Sequence, residues 1–131
     1  LAYTNALWFE DKTHQISLSY YAQVVKNKKL YGTPIHGRAV LENGVLFMSV
    51  VNHEKYALPL FLQYQAMYKR GRYFRESQFH EALCYLKEKK PDRAKRIYEQ
   101  LKGGTDAYEF FLLSCMKEYE EAKQHADRKD N

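Results

Sequence analysis

The chain has 131 residues, 45% hydrophobic and 15% aromatic, a size that suits one domain with a real core. Its formal charge is +5, from 21 Lys and Arg against 16 Asp and Glu, with the signs mixed along much of the chain. That balance argues against nucleic-acid binding by bulk charge, and nine Gly and Pro together (6 Gly, 3 Pro) exclude a collagen-like or linker-like chain.

The first predicted element is a helix in AYTNALWFEDK, where Ala2, Ala6 and Phe9 recur at helical spacing. A second helix is expected in HQISLSYYAQVVKNKK. Ile16, Tyr20 and Val24 form its inner stripe with Tyr21 and Val25, and lysines sit in its last turns. YGTPIHG then breaks the chain. Gly32 can end one helix, Thr33 can cap the next, and Pro34 suits its first position.

Residues 38–51 admit two readings. As a helix they place Val40, Leu41, Val45, Met48 and Val51 on a broad apolar surface around an internal Gly44. As a hairpin they give two strands joined by Asn43 and Gly44. The helical reading agrees with the rest of the chain.

Another helix starts near residue 54, early enough to leave Pro59 close to its first turn, and carries Ala57, Phe61, Tyr64 and Tyr68 on one side. The next, in RYFRESQFHEALCYLKEKK, has Phe79, Ala82, Leu83 and Leu86 as its stripe, extended by Tyr85. Pro91 opens a helix in which Ala94, Ile97, Tyr98 and Leu101 repeat at three and four residues, and Gly103 and Gly104 stop it. Asp106 and Glu109 have the spacing of a capping pair. AYEFFLLSCM and YEEAKQHADRK are expected as a seventh and an eighth helix. With such short links, antiparallel neighbours follow, and each helix has more apolar surface than one neighbour covers.

Ala82 and Tyr85 are followed by Ala94, twelve residues after Ala82, and by Tyr98. This pattern resembles the tetratricopeptide repeat, extended by Tyr119 and Ala122 after a tight turn and more weakly by Ala57 and Phe61. The resemblance is to a degenerate member of that family, best over residues 75–126. It implies an all-α fold of antiparallel helical hairpins stacked as a right-handed solenoid. It also implies a concave groove for proteins or peptides, with no cofactor. The domain is expected to span residues 1–131, and a start at Leu1 leaves open a fragment of a larger protein.

Catalytic patterns are sparse. His80, Glu81 and Cys84 in HEALC have the spacing of a zinc-protease motif with Cys in the last place, but no third ligand is apparent; a surface His beside a buried Cys is the plainer reading. Cys84 and Cys115 form no CxxC and are expected as two buried thiols, with a disulfide as the alternative. His14, His36, His53 and His125 show no metal-ligand spacing, and no nucleophile elbow or phosphate-binding glycine pattern occurs.

The 12 tyrosines carry more information, because Tyr is enriched at binding surfaces. If the first helix of each hairpin lines a groove, its contacts are Tyr73, Gln78, Tyr85, Tyr108 and Ser114, with Arg72 and Arg75 at the rim. The expected function is therefore a non-enzymatic scaffold binding a protein or peptide in a cytoplasmic or cytoplasm-facing setting. Homo-oligomerisation and membrane contact through a parent segment are left open. The alternative is a basic surface that binds nucleic acid or an anionic membrane. It requires Lys26, Lys28, Lys29, Lys69, Arg70, Arg72 and Arg75 to share one face.

Overall fold

A computed structural model describes residues 15–49 and 53–129, and all regular structure among them is helical. Residues 15–26 form α1. A 3-10 turn at Lys28–Leu30 leads to α2 (Pro34–Ser49), α3 (Glu54–Met67), α4 (Phe74–Lys87), α5 (Pro91–Leu101) and α6 (Tyr108–Lys129). The helix expected over residues 2–12 lies outside the described residues.

Local chemistry accounts for several starts and stops. The Thr33 hydroxyl accepts the His36 N–H at 3.3 Å, and Thr33 O accepts the Gly37 N–H at 3.1 Å, so Thr33 caps α2 ahead of Pro34. Pro91 occupies the first turn of α5, where its missing N–H costs no helical bond. Lys102 follows the last residue of α5 in an extended conformation, and the chain turns through Gly103 at φ 81. Lys87 Nζ donates to Met48 O at 2.9 Å, so a cation from α4 neutralises the carbonyl end of α2.

Consecutive helices pack in pairs, and α4 also touches both α2 and α6. The result is a row α2–α4–α6, with α3 seated against α2 and α4 and α5 against α4 and α6. One core cluster joins Ala82, Leu86, Ala94, Ile97, Leu101 and Leu112. A second joins Leu41, Met48, Ala57, Phe61 and Cys84. A third joins Val25, Ala39, Val40 and Tyr64, and through it α1 attaches to the layer. Each fully buried Leu or Phe contributes about 1.5–3 kcal/mol relative to exposure.

Small residues set the crossings. Ala57, Ala82 and Ala94 are fully buried. At Gly44 an added Cβ would stand 2.6 Å from the Phe61 ring, so α2 and α3 meet over a bare backbone. Asn43 and Gly44 therefore lie inside a helix, and the hairpin alternative is excluded.

Two expectations are corrected. The predicted seventh and eighth helices are one continuous helix, Tyr108–Lys129, so the tight turn before Tyr119 does not exist. Leu112, Met116 and Tyr119 carry one unbroken stripe onto the first core cluster, and no Gly or Pro interrupts it. The predicted inner stripe of α1 is also rotated. Ile16 and Tyr20 are 62% and 59% exposed, while Val25 is buried with Tyr21 and Val24 packed beside it. Apolar residues lie on both sides of this helix, and which side turns inward is set by the third core cluster.

The close crossing gives a test. Gly44→Ala should lower stability by about 1–3 kcal/mol in urea unfolding, through overpacking against Phe61. Alanine's higher helix propensity, about 1 kcal/mol, acts the other way. A stabilised variant would contradict the crossing geometry.

Candidate functional site

The site begins with a buried histidine. His36 is completely inaccessible, in the first turns of α2. Its Nε2 lies 2.9 Å from Val25 O, and its Nδ1 lies 2.6 Å from the Tyr68 hydroxyl. A carbonyl can only accept, so Nε2 carries the proton. The Gly32 N–H donates to Tyr68 Oη at 3.1 Å, which leaves the phenol proton for Nδ1. Tyr31 packs over the imidazole at a centroid distance of 4.6 Å. One histidine and one tyrosine thus tie the end of α1, the 28–33 turn, the start of α2 and the end of α3 together.

Beside this network is a cleft of 310 Å³ lined by Gly32, Thr33, Pro34, Gly37, Tyr64, Tyr68, Gly71, Arg72 and Tyr73. Its floor is aromatic, with Tyr64 and Tyr68 stacked at 5.1 Å. Gly71 is needed there, because a Cβ would stand 2.5 Å from Tyr64 Oη and 2.9 Å from Tyr68 Cβ. The Tyr73 N–H donates to Tyr64 Oη at 3.1 Å, which fixes the loop before α4 against the floor. Burial pushes the Tyr64 hydroxyl above its ordinary pKa, so it stays protonated.

The same end of the helical layer gathers cations. The α1–α2 turn carries Lys26, Lys28 and Lys29, and the α3–α4 loop carries Lys69, Arg70 and Arg72; all six are exposed. None has a carboxylate partner among the described residues. Residues 15–41 and 55–75 contain no Asp or Glu. Arg72 lies 5.8 Å from the Tyr73 ring centroid, at the edge of the cleft.

The sequence-predicted contacts are distributed over several surfaces. Arg72 and Tyr73 line the cleft. Arg75 points away from it, donating to Asp106 at 2.5 and 3.0 Å and to Leu101 O at 2.9 Å. Its charge therefore clamps the α5–α6 link to α4, so that of the seven cations of the alternative reading Arg75 is engaged in an internal ion pair. The guanidinium holds the Asp106 carboxyl below its ordinary pKa. Asp106 Oδ1 also accepts the Tyr108 N–H at 3.3 Å, so Asp106 supports the start of α6 while serving Arg75.

Gln78 bonds Gln100 at 2.9 Å across α4 and α5. Tyr85 lines a separate polar recess with Gln65, Glu81, Arg93, Arg96 and Gln100. Tyr108 packs on Phe79 at 5.4 Å, away from both openings, and Ser114 is exposed on α6. His36, Tyr64 and Tyr68 form the cleft's foundation, yet sequence spacing marked only the two tyrosines, as core. The clue to His36 was its place three residues after the Thr33 cap, among apolar neighbours.

The HEALC motif takes a different form from the surface histidine expected. His80 stacks on Phe61 at 5.3 Å, and its Nδ1 is buried without a hydrogen bond. Burial first, then the Arg38 charge, lowers its pKa to about 4. Cys84 is free and fully buried beside Met48, and burial pushes its thiol up to about 12, far from a reactive thiolate. Cys115 is also a free thiol, but it is only partly buried, unlike the buried thiol expected. Among the described residues no group of three or more His, Cys, Asp and Glu could hold a metal. No described helix is long and apolar enough to cross a membrane. No family model, curated protein or solved structure matches the chain.

Two measurements check these assignments. Tyr68→Phe removes the partner of buried His36 Nδ1 and should destabilise the fold by about 1–3 kcal/mol in urea titrations. An unchanged midpoint would contradict the network. For His80, the unfolded ring takes its proton near 6.5, while the folded ring stays neutral down to about 4. The unfolded state therefore binds more protons in that window. The stability His80 supplies is complete above its unfolded pKa and is lost as pH falls toward its folded value, by at most about 3 kcal/mol. His80→Gln should flatten the decline in urea midpoint over that window; an equally steep decline would contradict the assignment.

Proposed function

We propose that the chain is a non-enzymatic scaffold that binds a protein or peptide segment. The observation that carries this reading is the aromatic cleft at the joined α1–α2 and α3–α4 turns, with Arg72 and Tyr73 at its edge. Its hydroxyls at Tyr64, Tyr68 and Thr33 are already bonded within the chain, so the walls are held in place before a partner arrives. An apolar recess of this size lies near the lower end of ligand-pocket volumes, about 300–1,000 Å³, and suits one bulky side chain of a peptide.

The packing of α2–α3 and α4–α5 into a continuous row supports a stacked-hairpin, tetratricopeptide-like reading, with α6 as a single long closing helix. Residues from two successive hairpins then converge on one docking point. This reading shifts the expected groove toward the cleft and away from Tyr108 and Ser114.

Selection of random short peptides on the immobilised full chain tests the proposal, followed by amide chemical-shift mapping with the enriched peptides. Shifts should concentrate at Gly32, Gly37, Gly71 and Tyr73. Failure to enrich any peptide, or shifts confined to the Tyr85–Arg93 recess, would overturn it.

A further inference from the structure

We infer that the segment bound at this cleft is acidic and anchors one large apolar side chain between the two basic turns; this rests on the peptide-binding reading above. Lys26, Lys28, Lys29, Lys69, Arg70 and Arg72 lie on two loops that the Gly32–Tyr68 hydrogen bond holds side by side. These six outnumber the whole chain's net charge of +5, so the rest of the chain is close to neutral. Like charges on adjoining loops repel one another over about a Debye length, roughly 8 Å at physiological salt, and an anionic partner relieves that repulsion.

The polar atoms of the cleft are largely occupied within the chain. Tyr68 Oη has both roles filled, by His36 and Gly32, as has the Thr33 hydroxyl, by Leu30 O and the His36 N–H, and Tyr64 Oη accepts the Tyr73 N–H. A nucleobase carries several donors and acceptors on its edge. Leaving each unpaired in an apolar recess costs about 1–3 kcal/mol. Leu and Phe side chains bring no such groups, and Trp brings one. Apolar walls with a cationic rim therefore favour a peptide of alternating Asp or Glu around a Leu, Phe or Trp over single-stranded nucleic acid. The carboxylates would meet Arg72, Arg70 and Lys69 on one side and Lys28 and Lys29 on the other.

Fluorescence anisotropy with synthetic probes on the full chain tests this. The probes are Glu-rich peptides carrying one Leu, Phe or Trp, the same peptides with Gly in place of the anchor, the anchored peptides in a neutral Ser-Gly background, and oligouridine RNA. At least one acidic anchored peptide should bind, with about tenfold or greater weakening on losing either the anchor or the acidic background. Combining Lys69→Glu, Arg70→Glu and Arg72→Glu should weaken that complex by a similar factor; the three side chains are exposed, so the thermal melt should keep its cooperativity. Equal binding of neutral anchored peptides would overturn the acidic preference while leaving the scaffold reading intact. Tighter binding of oligouridine would overturn both. Absence of binding by every probe would overturn this inference, and the peptide selection would then decide the scaffold reading separately.

Discussion

A buried imidazole has two ring nitrogens to satisfy, and the way His36 does so organises one whole end of the molecule. Val25 O takes the Nε2 proton and the Tyr68 hydroxyl supplies Nδ1. Neither partner is near in sequence, so the requirement brings α1 and the end of α3 to the start of α2. Tyr68 then reaches Gly32, and the two basic turns come to lie beside a common aromatic floor. The cleft is thus a consequence of satisfying a buried polar group. Its placement among cations follows from which loops that group happens to join.

The rest of the layer is held by different means. Lys87 meets the carbonyl end of α2, and the Arg75–Asp106 pair ties α4 to the α5–α6 link while also serving Leu101 O. Both interactions place a cation at helix carbonyls, where the macrodipole favours it. The Arg75 pair is about one third exposed, so its value lies in geometry more than in Coulomb energy. Between these ties, alanines and Gly44 let helices approach, and the larger side chains fill the spaces left beside them.

Much of the helical layer was legible in the sequence because its signals are local. Thr33 and Pro34 mark a helix start by capping chemistry alone. Pro91, followed by Ala94, Ile97 and Leu101, marks a start and a face together. Signals that depend on distant partners were not legible. Asn43 and Gly44 also admit a hairpin turn, the less favoured reading, until Phe61 is placed against Gly44. The polar run after Cys115 is compatible with a break, and only its packing on the α4–α5 core reveals continuity. Arg75 looked like a rim residue because its partner, Asp106, lies 31 positions away. Arg72 and Tyr73 were recognisable as candidate contacts from type and spacing, whereas the cleft they edge required knowing that His36 is buried.

The joining of the two basic turns depends on that histidine. The most direct measurement is a long-range proton–nitrogen correlation spectrum of the folded chain, assigned through a His36→Gln control. It should place the His36 ring proton on Nε2, with Nδ1 bare and accepting, and that proton should exchange with water far more slowly than in an exposed imidazole. A ring proton on Nδ1 alone, or exchange as rapid as in an exposed histidine, would contradict the network that joins the two basic turns.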